Sequence, residues 1–260
     1  MNLFKELLEY RADSDELGIC WVGQSGFIFK DHGGRTLAID LYLTDCGERF
    51  RGFKRISPKL LSPTDVAPDY YLITHVHFDH LDYDAIPLIS ASTKTVFCGP
   101  SEVCDALRKM MIPEEKIICV NAGESVVFES IKITAVEADH GLMVKDSVGY
   151  IVEMGDHRVY VTGDTCYRED IFKKVSGTKI DIMIACINGR FGNMDATEAA
   201  RAAVITKAEI AIPCHYWTFV EHGGNPDEFV KYFDSHEECC KPLLFRHGEI
   251  RTICKGNHIR

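Results

Sequence analysis

The segment Thr74-His75-Val76-His77-Phe78-Asp79-His80 places three imidazoles and one carboxylate within six positions, directly after the apolar run Tyr70-Tyr71-Leu72-Ile73. Packing alone gives no reason to crowd such groups, since each must be desolvated and its hydrogen bonds satisfied. A divalent cation removes that objection, because neutral imidazole and carboxylate are the usual ligands of zinc, manganese and iron. On an extended segment His75 and His77 point the same way. Asp79 and His80 fall where the chain turns towards a helix, and they can aim at a second point. Donors in this number suit two cations about 3.5–4 Å apart better than one, and such pairs activate a water molecule.

The rest of a donor set would come from polar residues that end other apolar runs. His140 closes the run that starts at Ile131, Asp164 closes Val159-Tyr160-Val161-Thr162-Gly163, and His215 closes Ile210-Ala211-Ile212-Pro213-Cys214. Taken alone, His140 fits a capped loop histidine better than a ligand, and Asp164 fits a turn equally well. Asp40, after Leu37-Ala38-Ile39, is compatible with ordinary turn chemistry. Asn188 and Arg190 follow the apolar stretch 182–187, where open α/β folds place ligand contacts, and a guanidinium there could grip a phosphate or carboxylate. Tyr216 and Trp217 offer a pocket wall or simply core. His222, among glycines, offers a proton donor or a surface group. His32, His157, His236, His247 and His258 read as surface groups.

The elements that must position these residues are short and alternate in type. Strands are expected over 19–29 and 36–41, joined by an Asp31-His32-Gly33-Gly34 turn. A strand over 70–74 opens into the histidine loop, with a helix after Leu81. A strand over 95–98 precedes a helix over 102–111 with Ser101 as its N-cap. Strands over 117–120, 125–128, 131–136, 148–154 and 159–162 form a meander. Then come a helix over 169–175, a strand over 180–187, a helix over 197–206, a strand over 210–214 and a helix over 226–235. Asp195 caps the third-last of these, with Glu198 in capping-box spacing. Two sheets flanked by helices, a four-layer αββα sandwich of the α/β class, fit this order as one domain over 1–260.

Composition narrows the partners. The 260 residues are 46% hydrophobic and carry a net charge of −10 without a dense Lys/Arg cluster. That balance opposes nucleic acid and anionic membranes, whose phosphates the summed field repels, and leaves a small anionic substrate admissible. The first ten residues read as a charged amphipathic helix and not a signal peptide, and no apolar run reaches the roughly 18 residues of a membrane span. A cytoplasmic protein is expected. Its eleven cysteines are odd in number and scattered, without Cys-x-x-Cys, and read as reduced, buried thiols. Cys239 and Cys240 would be reactive if exposed.

His-x-His-x-Asp-His, followed by His140, Gly163-Asp164 and His215, resembles the metallo-β-lactamase superfamily over 19–253. The resemblance implies the αββα fold, with His75, His77 and His140 on one metal, Asp79, His80 and His215 on a second, and Asp164 bridging both. It makes Asp40 a brace for a ligating imidazole, whose other N–H needs an acceptor. Gly163-Asp164-Thr165-Cys166-Tyr167, Asn188-Gly189-Arg190-Phe191-Gly192-Asn193-Met194 and Pro213-Cys214-His215-Tyr216-Trp217 are most similar to the ascorbate-6-phosphate lactonase subfamily. The implied function is that of a metal-dependent hydrolase, a lactonase or esterase opening a small sugar lactone, phosphorylated or not, such as L-ascorbate 6-phosphate, with a metal-activated water. Asp79 and Asp164 are the expected catalytic carboxylates. Asn188, Arg190, Tyr216, Trp217 and His222 are the expected substrate contacts. One or two divalent ions, Mn2+ or Zn2+ with iron also admissible, and a homo-oligomer complete the expectation. Rival functions are a phosphodiesterase or nuclease acting on cyclic or short nucleotides, and a non-catalytic metal-dependent metabolite-binding protein.

Overall fold

The computed structural model describes residues 3–234, 240–256 and 259. Alternation of side chains along each strand gives every sheet two apolar faces, which forces layers on both sides. The first sheet holds β1 (Glu16–Gly23), β2 (Gly26–Lys30), β3 (Thr36–Ile39), β4 (Tyr70–Leu72), β5 (Val96–Gly99) and β6 (Ile117–Cys119) in chain order, antiparallel up to β3 and parallel beyond it. Phe27, Phe29, Leu37, Ile39 and Leu72 point into the centre of the sandwich. Their neighbours Ile28, Ala38 and Tyr71 face outwards, into a second core with Ile86, Ile89, Val103 and Leu107. Those last four belong to α3 (Ala85–Ser92) and α4 (Ser101–Lys109), which follow α1 (Leu3–Glu9) and α2 (Cys46–Arg51) in the chain.

The second sheet holds β7 (Ser125–Phe128), β8 (Ile131–Glu137), β9 (Val148–Met154) and β10 (His157–Val161) as an antiparallel meander. It continues in parallel through β11 (Ile182–Cys186), β12 (Ile210–Cys214) and β13 (Lys241–Pro242). Side by side on it lie α5 (Glu169–Val175), α6 (Ala196–Thr206) and α7 (Pro226–Asp234). A last strand, β14 (Ile250–Cys254), returns to the first sheet and pairs antiparallel with β1. Ile133, Tyr150 and Val152 of the second sheet share one core with Phe27 and Leu37 of the first. The arrangement is the expected αββα sandwich.

Several local expectations change. The single strand over 19–29 is two strands, because Gly23 (φ 115°) and Gln24 (φ 53°) reverse the chain in a tight turn. Ser101 is the first residue of α4 and not its cap, and its hydroxyl donates to Asn121 Oδ1 at 2.9 Å. Cys104 on α4 and Cys119 on β6 are joined by a disulfide, with Cα atoms 6.0 Å apart, where thiols were expected. Cys98, Cys186 and Cys214 are buried thiols. His157 is buried instead of exposed, and so is Cys240. His236, Cys239 and His258 lie outside the described residues. Among the described residues, no helix is long and apolar enough to cross a membrane.

The capping box of α6 is as expected: Glu198 N–H donates to Asp195 Oδ1 at 2.8 Å, and Asp195 N–H donates to Glu198 Oε2 at 3.0 Å. Both bonds satisfy helix-end donors that have no partner within the helix. We therefore expect Asp195→Ala to lower stability by about 1 kcal/mol, read as a reduced urea midpoint at unchanged slope. An unchanged midpoint would remove the cap from the forces fixing this helix.

Candidate metal centre

The candidate donors all sit where strands end, mostly at the carboxyl ends of the parallel ones. Asp40 follows β3 with its backbone in the left-handed region (φ 46°). Its Oδ1 accepts Thr74 N–H at 2.9 Å, and its Oδ2 accepts the Thr74 hydroxyl at 2.7 Å. The same Oδ2 lies 2.8 Å from His80 Nδ1. One carboxylate thus ties the end of β3 to the histidine loop beyond β4. That loop is itself tight, with His80 and Leu81 N–H both donating to the His77 carbonyl at 3.0 and 2.7 Å.

Two groups of donors converge. His75, His77, His140 and Asp164 form one, and Asp79, His80 and His215 the other, each with its donor atoms within 4.8 Å of one another. His77 Nδ1 lies 3.0 Å from His75 Nε2 and 3.2 Å from His140 Nε2. His215 Nε2 lies 3.2 Å from both His80 Nε2 and Asp79 Oδ2. Asp164 stands between the groups. Its Oδ1 is 3.2 Å from His80 Nε2 and 3.3 Å from His215 Nε2, and its Oδ2 is 3.8 Å from His140 Nε2. Gly163 makes that reach possible: it has φ 62°, and a Cβ there would meet the Val148 carbonyl at 2.6 Å. His77 is half-buried, and the other donors are buried.

This set fits divalent cations on its own chemistry. Asp40 accepts the Nδ1–H of His80, so the opposite nitrogen confronts the His215 ring and the Asp164 carboxylate, which are acceptors. Buried Asp164 Oδ1 has no aligned hydrogen bond. Buried acceptors facing one another demand a positive charge between them. The proton affinities respond accordingly. Burial pushes His80 down, but Asp164, Asp40 and Asp79 outweigh it and hold the ring well above the usual imidazole range. Burial likewise pushes Asp79 and Asp164 up, and the surrounding imidazoles outweigh it and hold both well below the carboxylate range. Burial, foremost, lowers His75, His77 and His140. Anionic carboxylates beside His75, His77 and His140 favoured in the neutral form match what a zinc, manganese or iron ion requires, and the proton favoured on His80 is the one such an ion would displace.

Sequence reasoning missed two residues here. Gln24, in the β1–β2 turn, has its Nε2 2.8 Å from Asp79 Oδ2, 3.0 Å from His215 Nε2 and 3.2 Å from His222 Nδ1. Its main-chain carbonyl accepts His215 N–H at 2.9 Å and the Trp21 indole N–H at 3.0 Å. Asn193 donates to Asp164 Oδ2 at 2.7 Å. A fully buried glutamine between two apolar strands was the available signal.

Over the donors opens a cavity of about 540 Å3. Asn188 and His222, two of the residues read above as substrate contacts, line it. His222 stacks on His215 with ring centroids 4.7 Å apart, and burial, then His215, push it down to about 4. Arg190, Tyr216 and Trp217 do not line it, and the expectation for them is revised. Gly189 (φ 58°) and Phe191 (φ 55°) turn their loop so that Phe191 faces the cavity, leaving Arg190 exposed in solvent. Tyr216 is buried against Trp21, centroids 5.1 Å apart, and Trp217 is 58% exposed.

Residues 41–216 match the β-lactamase superfamily domain. A UPF0173 metal-dependent hydrolase of Methanopyrus kandleri is 32% identical over 243 residues, covering 89% of this chain and 97% of that protein. The chain belongs to the UPF0173 metal-dependent hydrolases of the β-lactamase superfamily. A UPF0173 metal-dependent hydrolase of Archaeoglobus fulgidus is 29% identical over 242 residues, covering 89% of this chain and 96% of that protein. In fold, the hydrolase is similar to Igni18, a metallo hydrolase from Ignicoccus hospitalis, with a TM-score of 0.72 and 22% identity over 92% of this chain and 98% of that one.

The Asp40 brace gives this metal-dependent hydrolase a measurable sensitivity. Asp40→Asn keeps the shape but weakens the acceptor for His80 Nδ1–H, and metal affinity should fall roughly 10–100-fold. Competition with a chromophoric chelator reads this directly, and affinity equal to the parent's would show that the brace does not tune the centre.

Proposed function

We propose that this hydrolase cleaves ester or lactone bonds in small molecules, using two divalent ions. His75, His77 and His140 would hold one ion, Asp79, His80 and His215 would hold the other, and Asp164 would serve both. The observation that carries the reading is a small-molecule-sized cavity, about 540 Å3, whose polar floor includes His77, Asp79, His140, Asp164 and His215 of this donor set. When bound, the ions polarise a carbonyl and make a water acidic enough to attack at neutral pH.

The chain's own residues do the rest. Gln24 fixes the Asp79 carboxylate through one oxygen, at 2.8 Å. Asp79 then orients the attacking water, takes its proton and passes it to the departing alkoxide. Asn188, buried at the cavity with its Oδ1 unpartnered, engages a polar group of the substrate. Neutral His222 closes the floor beside His215. Ester and water become acid and alcohol; with a lactone both stay in one molecule, a hydroxy acid. Phosphodiesters and nucleotides are less well suited, because the one guanidinium lining the cavity is Arg51, which is solvent-exposed, and the chain carries a net charge of −10.

Protein purified without added metal should carry two ions per chain by elemental analysis, and should hydrolyse a panel of esters and lactones faster than bis(p-nitrophenyl) phosphate. His77→Ala should lose metal and bring turnover to background. Unchanged metal content in that variant would break the ligand assignment, and preference for the phosphodiester would break the reaction class.

A further inference from the structure

We infer that the substrate carries an uncharged, apolar group, aryl or alkyl, beside its scissile carbonyl, and that Phe191 selects for it. This rests on the ester and lactone reading above and names the substrate class within it.

The cavity is chemically divided. Its floor is His77, Asp79, His140, Asp164 and His215 of the donor set with Asn188 and His222, and its walls are chiefly Phe50, Phe53, Phe78, Tyr83, Met143 and Phe191. The rings interlock: Phe53 lies 5.6 Å from Phe78 and 5.8 Å from Phe191, centroid to centroid. A phosphate or carboxylate held against the walls, away from the ions at the floor, would surrender its hydration against aromatic faces, with the exposed guanidinium of Arg51 as the cation lining that part. An aryl or alkyl group loses nothing there and removes its own surface from water.

The mouth repeats the pattern. Phe50, Met143 and Phe191 are 45%, 52% and 47% exposed around one opening. Large apolar side chains left open to water beside a cavity mark an interaction site. Phe191 carries a second mark. It holds φ 55°, a conformation that bulky residues avoid, in a loop where Gly189 (φ 58°) and Gly192 (φ 83°) are left-handed as well but without strain. The loop fixes it there through Gly189 N–H to the Met194 carbonyl at 2.9 Å and Asn193 N–H to the Arg190 carbonyl at 3.0 Å. Its ring stands 5.8 Å from that of His222, so it spans from the aromatic wall to the floor. Strain retained at such a place points to a role for that side chain.

The test compares p-nitrophenyl hexanoate with the acetate, and δ-decalactone with 6-phosphogluconolactone, on the metal-loaded protein. We expect kcat/KM for the hexanoate to exceed that for the acetate by roughly tenfold or more, and the unphosphorylated lactone to be preferred. Phe191→Asn keeps a residue that tolerates the left-handed backbone, so the loop should persist. It should cut the hexanoate-to-acetate ratio roughly tenfold through KM, with metal content as in the parent, while Phe191→Tyr retains the ratio. Equal rates for the two esters, or preference for the phosphorylated lactone, would overturn the inference. If no ester or lactone is turned over, the hydrolytic reading fails and calorimetry of butyranilide decides the apolar class separately. Binding with a negative heat-capacity change that Phe191→Asn weakens supports it, and absence of binding refutes it.

Discussion

Buried hydrogen-bond acceptors that face one another are the constraint on which this molecule is built. Asp40 occupies one nitrogen of His80 and thereby aims the other at the His215 ring and the Asp164 carboxylate. A proton on His80 and the Gln24 amide meet those acceptors in the protein alone, and a bound cation would supply the positive charge in the proton's place. The backbone shows what holding it requires. Gln24, Asp40 and His215 all sit in the left-handed region, at roughly 1 kcal/mol or more each. The sheets behind them supply the packing that keeps these conformations populated.

The donors come from both halves of the sandwich. The first sheet contributes the loop beyond β4, braced from the end of β3. The second contributes His140 after β8, Asp164 after β10 and His215 after β12. Ions bound between them would join the two sheets at one rim. Ligands that bind only the folded state raise its stability by mass action, about 4 kcal/mol at a thousandfold excess over Kd. The centre is thus a fastening of the fold as well as a source of chemistry. The Gln24 carbonyl works in the same place without metal, since it links the β1–β2 turn of one sheet to His215 on the other.

What the sequence disclosed follows from how local each signal is. His75 to His80, the polar residues closing apolar runs, Asp40 and the Asp195–Glu198 box are patterns within a few positions, and the structure brings those residues together. Gln24 is 55 positions from Asp79 and 191 from His215, so nothing in its neighbourhood announces its partners. The direction of Arg190 depends on backbone handedness at Gly189 and Phe191, which composition does not encode. The aromatic walls were not foreseen either: Phe50 and Phe53 lie in and just after α2, Phe78 in the histidine loop and Phe191 in a third segment, and the fold brings their rings together. The Cys104–Cys119 pairing also escaped, because cysteine spacing does not specify connectivity.

The return of β14 to the first sheet has a consequence for handling the protein. β1 is buried along its whole length, and β14 alone covers its outer side. Trimming the chain before Ile250 would bare the amides and carbonyls of β1 along Glu16–Cys20, the five residues that β14 pairs with. Open strands of that kind recruit other chains. A shortened version would therefore be prone to self-association although every donor of the metal centre was still present.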